Sequence, residues 1–294
     1  MHVDPLVVDS VIHTLETIYG ELSVTRFGDD DKKLTYLGMD LDFAEAGTVQ
    51  ISMIEYMKEV VEEFPELIDC SAASPATSRL FDIRKDAARL SKEKTDQFHH
   101  IVAKILWAGL RARPDLLLAL SFLTSCVQCP DEDDWRKLVR LVKYISGTIT
   151  LPLRLSAENT GVVKWWIDAS FGVRNDMKSQ TGGCMSLGKG AIYSSSKKQK
   201  LNTKSSTEAE LVGVDDLMPQ VVWTRYFLLA QGMKVNDNII YQDNKSAILL
   251  ETHGMGSSSK RTRHINLRYY FVADRIAMGE CTVEWCSTSN MTSN

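Results

Sequence analysis

The chain has 294 residues, 44% of them apolar and 24% charged. This composition excludes a chain disordered throughout and allows two cores of ordinary size. The longest nearly unbroken apolar stretch, Leu116 to Leu123, is far short of the ~20 residues of a bilayer span, and the opening Met-His-Val-Asp-Pro lacks a basic segment followed by an apolar one. Neither a membrane anchor nor a signal peptide is therefore expected. Six scattered cysteines make no disulfide framework and suit a reducing compartment. The net charge of −4 argues against a generic nucleic-acid glue, but residues 1–159 carry 18 Lys+Arg against 26 Asp+Glu, and residues 160–294 carry 16 against 12. If the chain meets a polyanion, the second half is the side expected to meet it, although scattered surface charge gives the same count.

In chain order, Val7 to Tyr19 has helical apolar spacing and stops at Gly20. Leu34 to Phe43 and Val49 to Met53 read as two strands around Glu45-Ala46-Gly47, and Ile54 to Phe64 as a helix. Residues 66–94 read as a connection. Helices follow over about 95–112, 115–127 and 131–146, the last opened by Asp131, Asp133 and Asp134, acids suited to a positive helix N-terminus.

After about residue 160 the pattern changes. Val162 to Phe171 predicts a central strand buried on both faces, interrupted by Asp168. Gly182 to Leu187 and Ala191 to Ser196 flank Gly188-Lys189-Gly190 as a hairpin. Ser206 to Gln231 predicts a long helix, kinked or broken at Pro219. A strand over Asn238 to Gln242, helices over Lys245 to Thr252 and Ile265 to Met278, and a strand over Cys281 to Cys286 complete the order. The fold class is mixed α/β, a sheet with helices on its faces.

Asp168, Asp243 and the pair Glu208 and Glu210 stand where such a fold gathers its strand ends and helix starts. A carboxylate in a buried strand is costly unless paired or bound to a cation. Clustered carboxylates suit Mg2+ or Mn2+, and two such ions about 4 Å apart activate a water and stabilise the leaving oxygen of a phosphodiester. Salt bridges and helix caps account for the same acids individually. Ser205-x-x-Glu208 fits a capping box, with Glu208 on a mixed face beside Val212, Asp215 and Pro219. Glu210 shares its face with Val214, Leu217 and Val221, the side that should lie on the sheet, and is the metal candidate.

Lys197, Lys198, Lys200 and Lys204 precede the long helix, while Lys260, Arg261, Arg263 and Arg268 surround His264. Such clusters give phosphate affinity without sequence choice, or form a solvated face. Cys126-Val-Gln-Cys129 lacks a second ligand pair at zinc spacing. His99-His100 reads as packing, and Trp165-Trp166 as core rather than a stacking platform.

The strings Lys164-Trp-Trp-Ile-Asp-Ala-Ser-Phe171, Ser194-Ser-Ser-Lys-Lys-Gln-Lys200, Lys204-Ser-Ser-Thr-Glu-Ala-Glu210, Tyr241-Gln-Asp-Asn-Lys-Ser-Ala247 and Arg261-Thr-Arg-His-Ile-Asn-Leu-Arg-Tyr-Tyr-Phe271 occur in this order. Together they resemble the ribonuclease H domain of copia-type retrotransposon Pol polyproteins. Tyr36-Leu-Gly-Met39, Phe98 to Lys104, Arg111-Ala-Arg-Pro-Asp115 and Leu141 to Thr148 resemble the end of the copia-type reverse transcriptase and its link to ribonuclease H. The resemblance covers practically the whole chain. It implies a palm remnant over 1–65, a helical thumb or connection over 66–158 and a ribonuclease H-like domain over 159–294. It further implies two-metal hydrolysis of RNA in an RNA–DNA hybrid, with Asp168 bridging two Mg2+ (or Mn2+) ions and Glu210 and Asp243 completing the site. Recognition would rest on backbone shape and the 2′-hydroxyl. His264 recurs in the family's pattern, with no role assigned by the sequence.

Two departures bear on activity. The polymerase Tyr-x-Asp-Asp motif is absent, so no polymerase activity is expected. The family's fourth acid, which opens a final helix, aligns with Asn294, and that helix is missing. Asn offers a neutral oxygen and no charge, so one ion should bind more weakly. The expectation is thus a residual endonuclease or a non-catalytic, hybrid-binding relic. The implied partners are the hybrid and the rest of the Pol polyprotein, with no membrane and no small-molecule cofactor. The implied location is cytoplasmic, with a virus-like particle or the nucleus as alternatives.

Overall fold

A computed structural model describes residues 4–21, 32–158, 160–253 and 271–291. Helix α1 (Pro5–Tyr19) is started by Asp4, whose side chain accepts from the Leu6 amide at 3.0 Å, and ends at Gly20, but none of its residues is buried. The stretch expected as one strand over Leu34 to Phe43 is instead a hairpin. Strands β1 (Lys33–Tyr36) and β2 (Met39–Asp42) pair antiparallel around Leu37 and Gly38, both at positive φ. Paired positive φ values are what a tight hairpin turn requires. Strand β3 (Thr48–Ser52) and helix α2 (Ile54–Glu62) follow.

Three helices build the first core: α3 (Lys92–Gly109), α4 (Leu117–Cys126) and α5 (Glu132–Gly147). Helix α3 starts earlier than its periodicity indicates because Ser91 caps it. It buries Phe98, Ile101, Val102 and Ile105 at helical spacing against Leu120, Leu123, Leu138, Leu141 and Ile145. Each fully buried side chain of this size contributes roughly 1.5–3 kcal/mol. His99 and His100 are exposed rather than packed, since the α3 face turned inward is that of Phe98, Ile101 and Val102. At α5, Asp131 accepts from the amides of Asp133 and Asp134, and the Asp134 carboxylate accepts from the Asp131 amide, closing a capping box.

Strand β4 (Leu153–Ala157), not among the elements expected above although Leu153, Leu155 and Ala157 alternate with Arg154 and Ser156, pairs antiparallel with β3. The Gly188-Lys189-Gly190 turn holds a short strand, β7 (Gly188–Lys189), that pairs with β4. The first sheet therefore runs β1-β2-β3-β4-β7.

The second sheet is made of β5 (Val162–Ser170), β6 (Gln180–Ser186), β8 (Tyr193–Lys198), β9 (Asp237–Gln242) and β10 (Thr282–Trp285), in the order β10-β9-β5-β6-β8. β5, β6 and β8 pair antiparallel, and β9 and β10 run parallel to β5. Helix α6 (Ser206–Ala230) lies on one face, followed by α7 (Lys245–His253) and helical residues 271–277. This is the mixed ribonuclease H-like sheet with flanking helices that the resemblance implied.

β5 is not buried on both faces. Val163, Trp165, Ile167 and Ala169 are buried, whereas Lys164, Trp166 and Asp168 are half-buried. The buried face meets Val214, Leu217, Met218 and Val221 of α6. Helix and sheet approach closely at Gly183, where a Cβ would stand 2.3 Å from Leu217 Cδ1. No break occurs at Pro219, because the helix on either side of it is held to the sheet by the buried Leu217, Met218 and Val221.

At Gly190 (φ +81°) a Cβ would lie 2.0 Å from the Arg154 carbonyl oxygen. Gly190→Ala should therefore separate β7 from β4 and lower stability by about 1–3 kcal/mol, read from denaturant unfolding.

A candidate site of three carboxylates

Parallel neighbours end at the same edge of a sheet, and ligands gather outside the carboxyl ends of such strands. Asp168 lies late in β5, opposite Gly182 of β6, and Asp243 directly follows β9. The β5–β9 register pairs Trp166 with Tyr241, so the two aspartates stand the same distance beyond the last paired residues. Helix α6 begins above them. Gln199, almost fully buried, donates to the Ala209 carbonyl at 2.8 Å and to Thr181 Oγ1 at 2.9 Å, tying the start of α6 to β6. Glu210 is buried there, and carboxylate oxygens of Asp168, Glu210 and Asp243 all lie within 4.8 Å of one another.

Glu208 has a different role. Ser205 caps α6 by accepting from the Glu208 amide at 3.2 Å, and Glu208 Oε2 accepts from the Lys204 amide at 2.6 Å. The reciprocal bond reaches Lys204, one residue before the Ser205 amide that the capping-box spacing indicates. Val212, expected on an outward face with Glu208, is buried, because α6 also packs sideways. Val214, Leu217 and Val221 lie buried on Glu210's side, as the helical spacing indicates.

Asp243 is held from two sides. Thr288 Oγ1 donates to its Oδ2 at 2.7 Å, and Trp285 Nε1 donates to its backbone carbonyl at 3.2 Å. Asn244 accepts from the amides of Ser246 and Ala247, starting α7 directly after the acid. Nothing in the sequence pattern marks Gln199, Trp285 or Thr288, since their partners are 10 to 45 residues away.

Burial first, then the charge of Asp168 and its hydrogen bond to Glu210, push the Glu210 carboxyl up to about 9. Its Oε2 is buried without a hydrogen-bond partner among the described residues. Three hard oxygen donors with one orphaned buried oxygen fit a divalent cation such as Mg2+ or Mn2+. Among the described residues this is the only group of three or more acidic, histidine or cysteine side chains so placed.

A cleft of about 980 Å³ adjoins the site. Asp168, Trp166, Ser170, Gly182 and Cys184 line one wall, and Pro114, Leu117 and Leu118 line the other. Trp165 is core, with Nε1 bonded to Asn238 Oδ1 at 3.0 Å, but Trp166 faces the cleft beside Tyr241, with ring centroids 5.4 Å apart. The core reading thus fails for Trp166, because α6 packs on the opposite face of β5 and Trp166 lines the cleft.

Lys197, Lys198, Lys200 and Lys204 are exposed, and Lys198 pairs with Asp176 at 2.7 Å. Lys260, Arg261, Arg263, His264, Arg268 and Asn294 lie outside the described residues. All six cysteines are free, and burial pushes the Cys126 thiol up to about 12. No described helix is long and apolar enough to cross a membrane.

A ribonuclease H-like sheet with three acids at its edge defines the class of this domain. No family model matches the chain. It is 28% identical over 297 residues to the retrovirus-related Pol polyprotein from transposon RE2 of Arabidopsis thaliana, covering 98% of this chain and 20% of that protein. To the corresponding polyprotein from transposon TNT 1-94 of Nicotiana tabacum it is 26% identical over 231 residues, 77% of this chain and 17% of the relative. The chain thus spans about a fifth of the length of the curated relatives it matches. Among solved structures, a ribonuclease H domain from Mycobacterium tuberculosis covers 45% of this chain, and the chain covers 86% of it, at 13% identity and a TM-score of 0.31. At that score the fold assignment rests on the strand order above. The resemblance read from the motifs is borne out: the chain is similar to the reverse transcriptase and ribonuclease H region of copia-type Pol polyproteins.

Glu210 and the fully buried Glu251, whose carboxyl burial pushes up to about 8, both hold protons in the folded chain that the unfolded chain releases near pH 4.5. In EDTA, stability should therefore fall as pH rises from about 4.5 to 9. Thermal melts should show Glu210→Gln and Glu251→Gln each flattening that decline.

Proposed function

We propose that Asp168, Glu210 and Asp243 hold divalent cations and that the site hydrolyses the RNA strand of RNA–DNA hybrids. The convergence of three carboxylates within 4.8 Å at the end of the sheet carries this reading. When bound, two Mg2+ or Mn2+ ions would supply a nucleophilic water and charge neutralisation at the phosphodiester. The chain supplies the rest. Asp168 lines the cleft from which a substrate would arrive, and Glu210 offers a buried oxygen that no donor among the described residues satisfies. Thr288 and Trp285 fix Asp243 through its side chain and its backbone carbonyl. Lys197, Lys200 and Lys204 offer exposed cations along the segment entering α6, suited to backbone phosphates. The relatives are Pol polyproteins of transposons, and the same setting is proposed for this chain, with the rest of such a polyprotein as partner.

The test is cleavage of an end-labelled RNA–DNA hybrid in Mg2+ or Mn2+. The expected result is a cut RNA strand and intact DNA, with Asp168→Asn, Glu210→Gln and Asp243→Asn each abolishing cleavage. A wild-type chain that binds hybrid and never cuts it would leave a binding module instead. Affinity should be similar across hybrid sequences and fall with salt, each phosphate contact adding about 0.9 to the log–log slope. A flat salt series would remove the lysines from the interface.

A further inference from the structure

Beside the acid cluster stands a cation that none of the acids holds. Lys245 opens α7, two residues beyond Asp243, and is exposed. Among the described residues it forms no ion pair with a carboxylate, unlike Lys198 and Lys164, which are paired at 2.7 and 3.7 Å. Its Nζ lies 4.9 Å from the ring centroid of Trp285. That indole is 53% exposed, yet its orientation is set by the bond from Nε1 to the Asp243 carbonyl. Ring, ammonium and third carboxylate are thus tied to one another through Asp243. An ammonium resting on a π-face keeps its N–H donors free for another partner.

We infer that Lys245 binds a backbone phosphate of the nucleic acid entering the three-acid site, and that Trp285 is the positioning residue that holds it there. This rests on the hydrolase reading above and adds a contact to it. A cluster of three acids repels a polyanion, and a cation on its rim that is not neutralised by them offsets that repulsion. The ammonium is a compact point charge, so the contact carries affinity without sequence preference. The indole sets where that charge sits, because loss of the ring leaves a long side chain free to sample solvent.

The experiment measures binding of a fluorescein-labelled RNA–DNA hybrid to the full chain by anisotropy, in a salt series, with Ca2+ replacing Mg2+ so that nothing is cut. Lys245→Ala should weaken binding roughly three- to tenfold and lower the log–log salt slope by about 0.9. Lys245→Arg should retain the slope. Trp285→Leu, with Lys245 intact, should show the same direction of loss, and Trp285→Phe, which keeps a ring, should lose less. In cleavage the Lys245→Ala effect should fall on KM with kcat unchanged, as removal of uniform binding requires. Melting temperatures equal to wild type show that each variant folds, and Lys245, being exposed, is expected to pass. An unchanged slope in Lys245→Ala, or wild-type binding by Trp285→Leu, overturns the inference while leaving the hydrolase reading intact. A wild-type chain that binds no hybrid overturns both. Binding without cleavage defeats only the hydrolase reading, and the salt slopes still decide Lys245.

Discussion

Three carboxylates within 4.8 Å repel one another, and burying one of them adds a desolvation cost to that repulsion. The arrangement around them reads as the means of holding it. Asp168 and Asp243 are brought together by a parallel strand pair, whose ladder fixes their separation whatever their charge. Glu210 is held by α6, whose attachment to the sheet comes from Val214, Leu217, Met218 and Val221 on the buried face of β5. The favourable burial lies one layer away from the unfavourable charge. Burial first, and the neighbouring Asp168 charge second, raise the Glu210 carboxyl far above the usual range, so that when no cation is present a proton on Glu210 removes both costs. A divalent cation would relieve it differently, by turning mutual repulsion into shared attraction.

The join between the two cores has another chemistry. Arg174, nearly buried, donates to Gln180 Oε1 and to the Ser121 carbonyl, and its guanidinium lies over the rings of Phe81 and Phe122. Gln180 donates in turn to Ser121 and Ser196. These bonds link α4 of the first core to β6 and β8 of the second sheet. With β4 and β7 paired across the same junction, the cleft beside Asp168 has walls from both halves of the chain. Polar contacts of this kind specify an orientation more than they add stability, since each replaces a bond to water. The shape of the approach to Asp168 depends on that orientation.

Local patterns carried much of this protein. Capping at Asp4, Ser91, Asp131 and Ser205, the spacing of Phe98, Ile101 and Ile105, and the separation of Glu210 from Glu208 follow from interactions within a turn or two of helix, which residues close in sequence decide. The motif order indicated the family resemblance and the mixed sheet for the same reason, being a property of the linear chain. Other features were settled only by distant partners. β4 alternates over only five residues, Leu153 to Ala157, too short a run to declare a strand by itself, and it is one because β3 and β7 offer it backbone bonds. Trp166 and Trp165 are adjacent and identical in type, yet one is core and one lines the cleft, because α6 covers a single face of β5. Pro219 costs a hydrogen bond that local reasoning counts correctly, but the sheet beneath the helix supplies more than it removes. The set of Trp285, Lys245 and Thr288 around Asp243 could not be read from spacing, because a parallel pairing of β9 with β10 places residues some 40 positions apart side by side. Sequence determined which residues could cap, alternate and carry charge; tertiary structure alone decided which faces were covered, because burial is a relation between surfaces that no segment holds by itself.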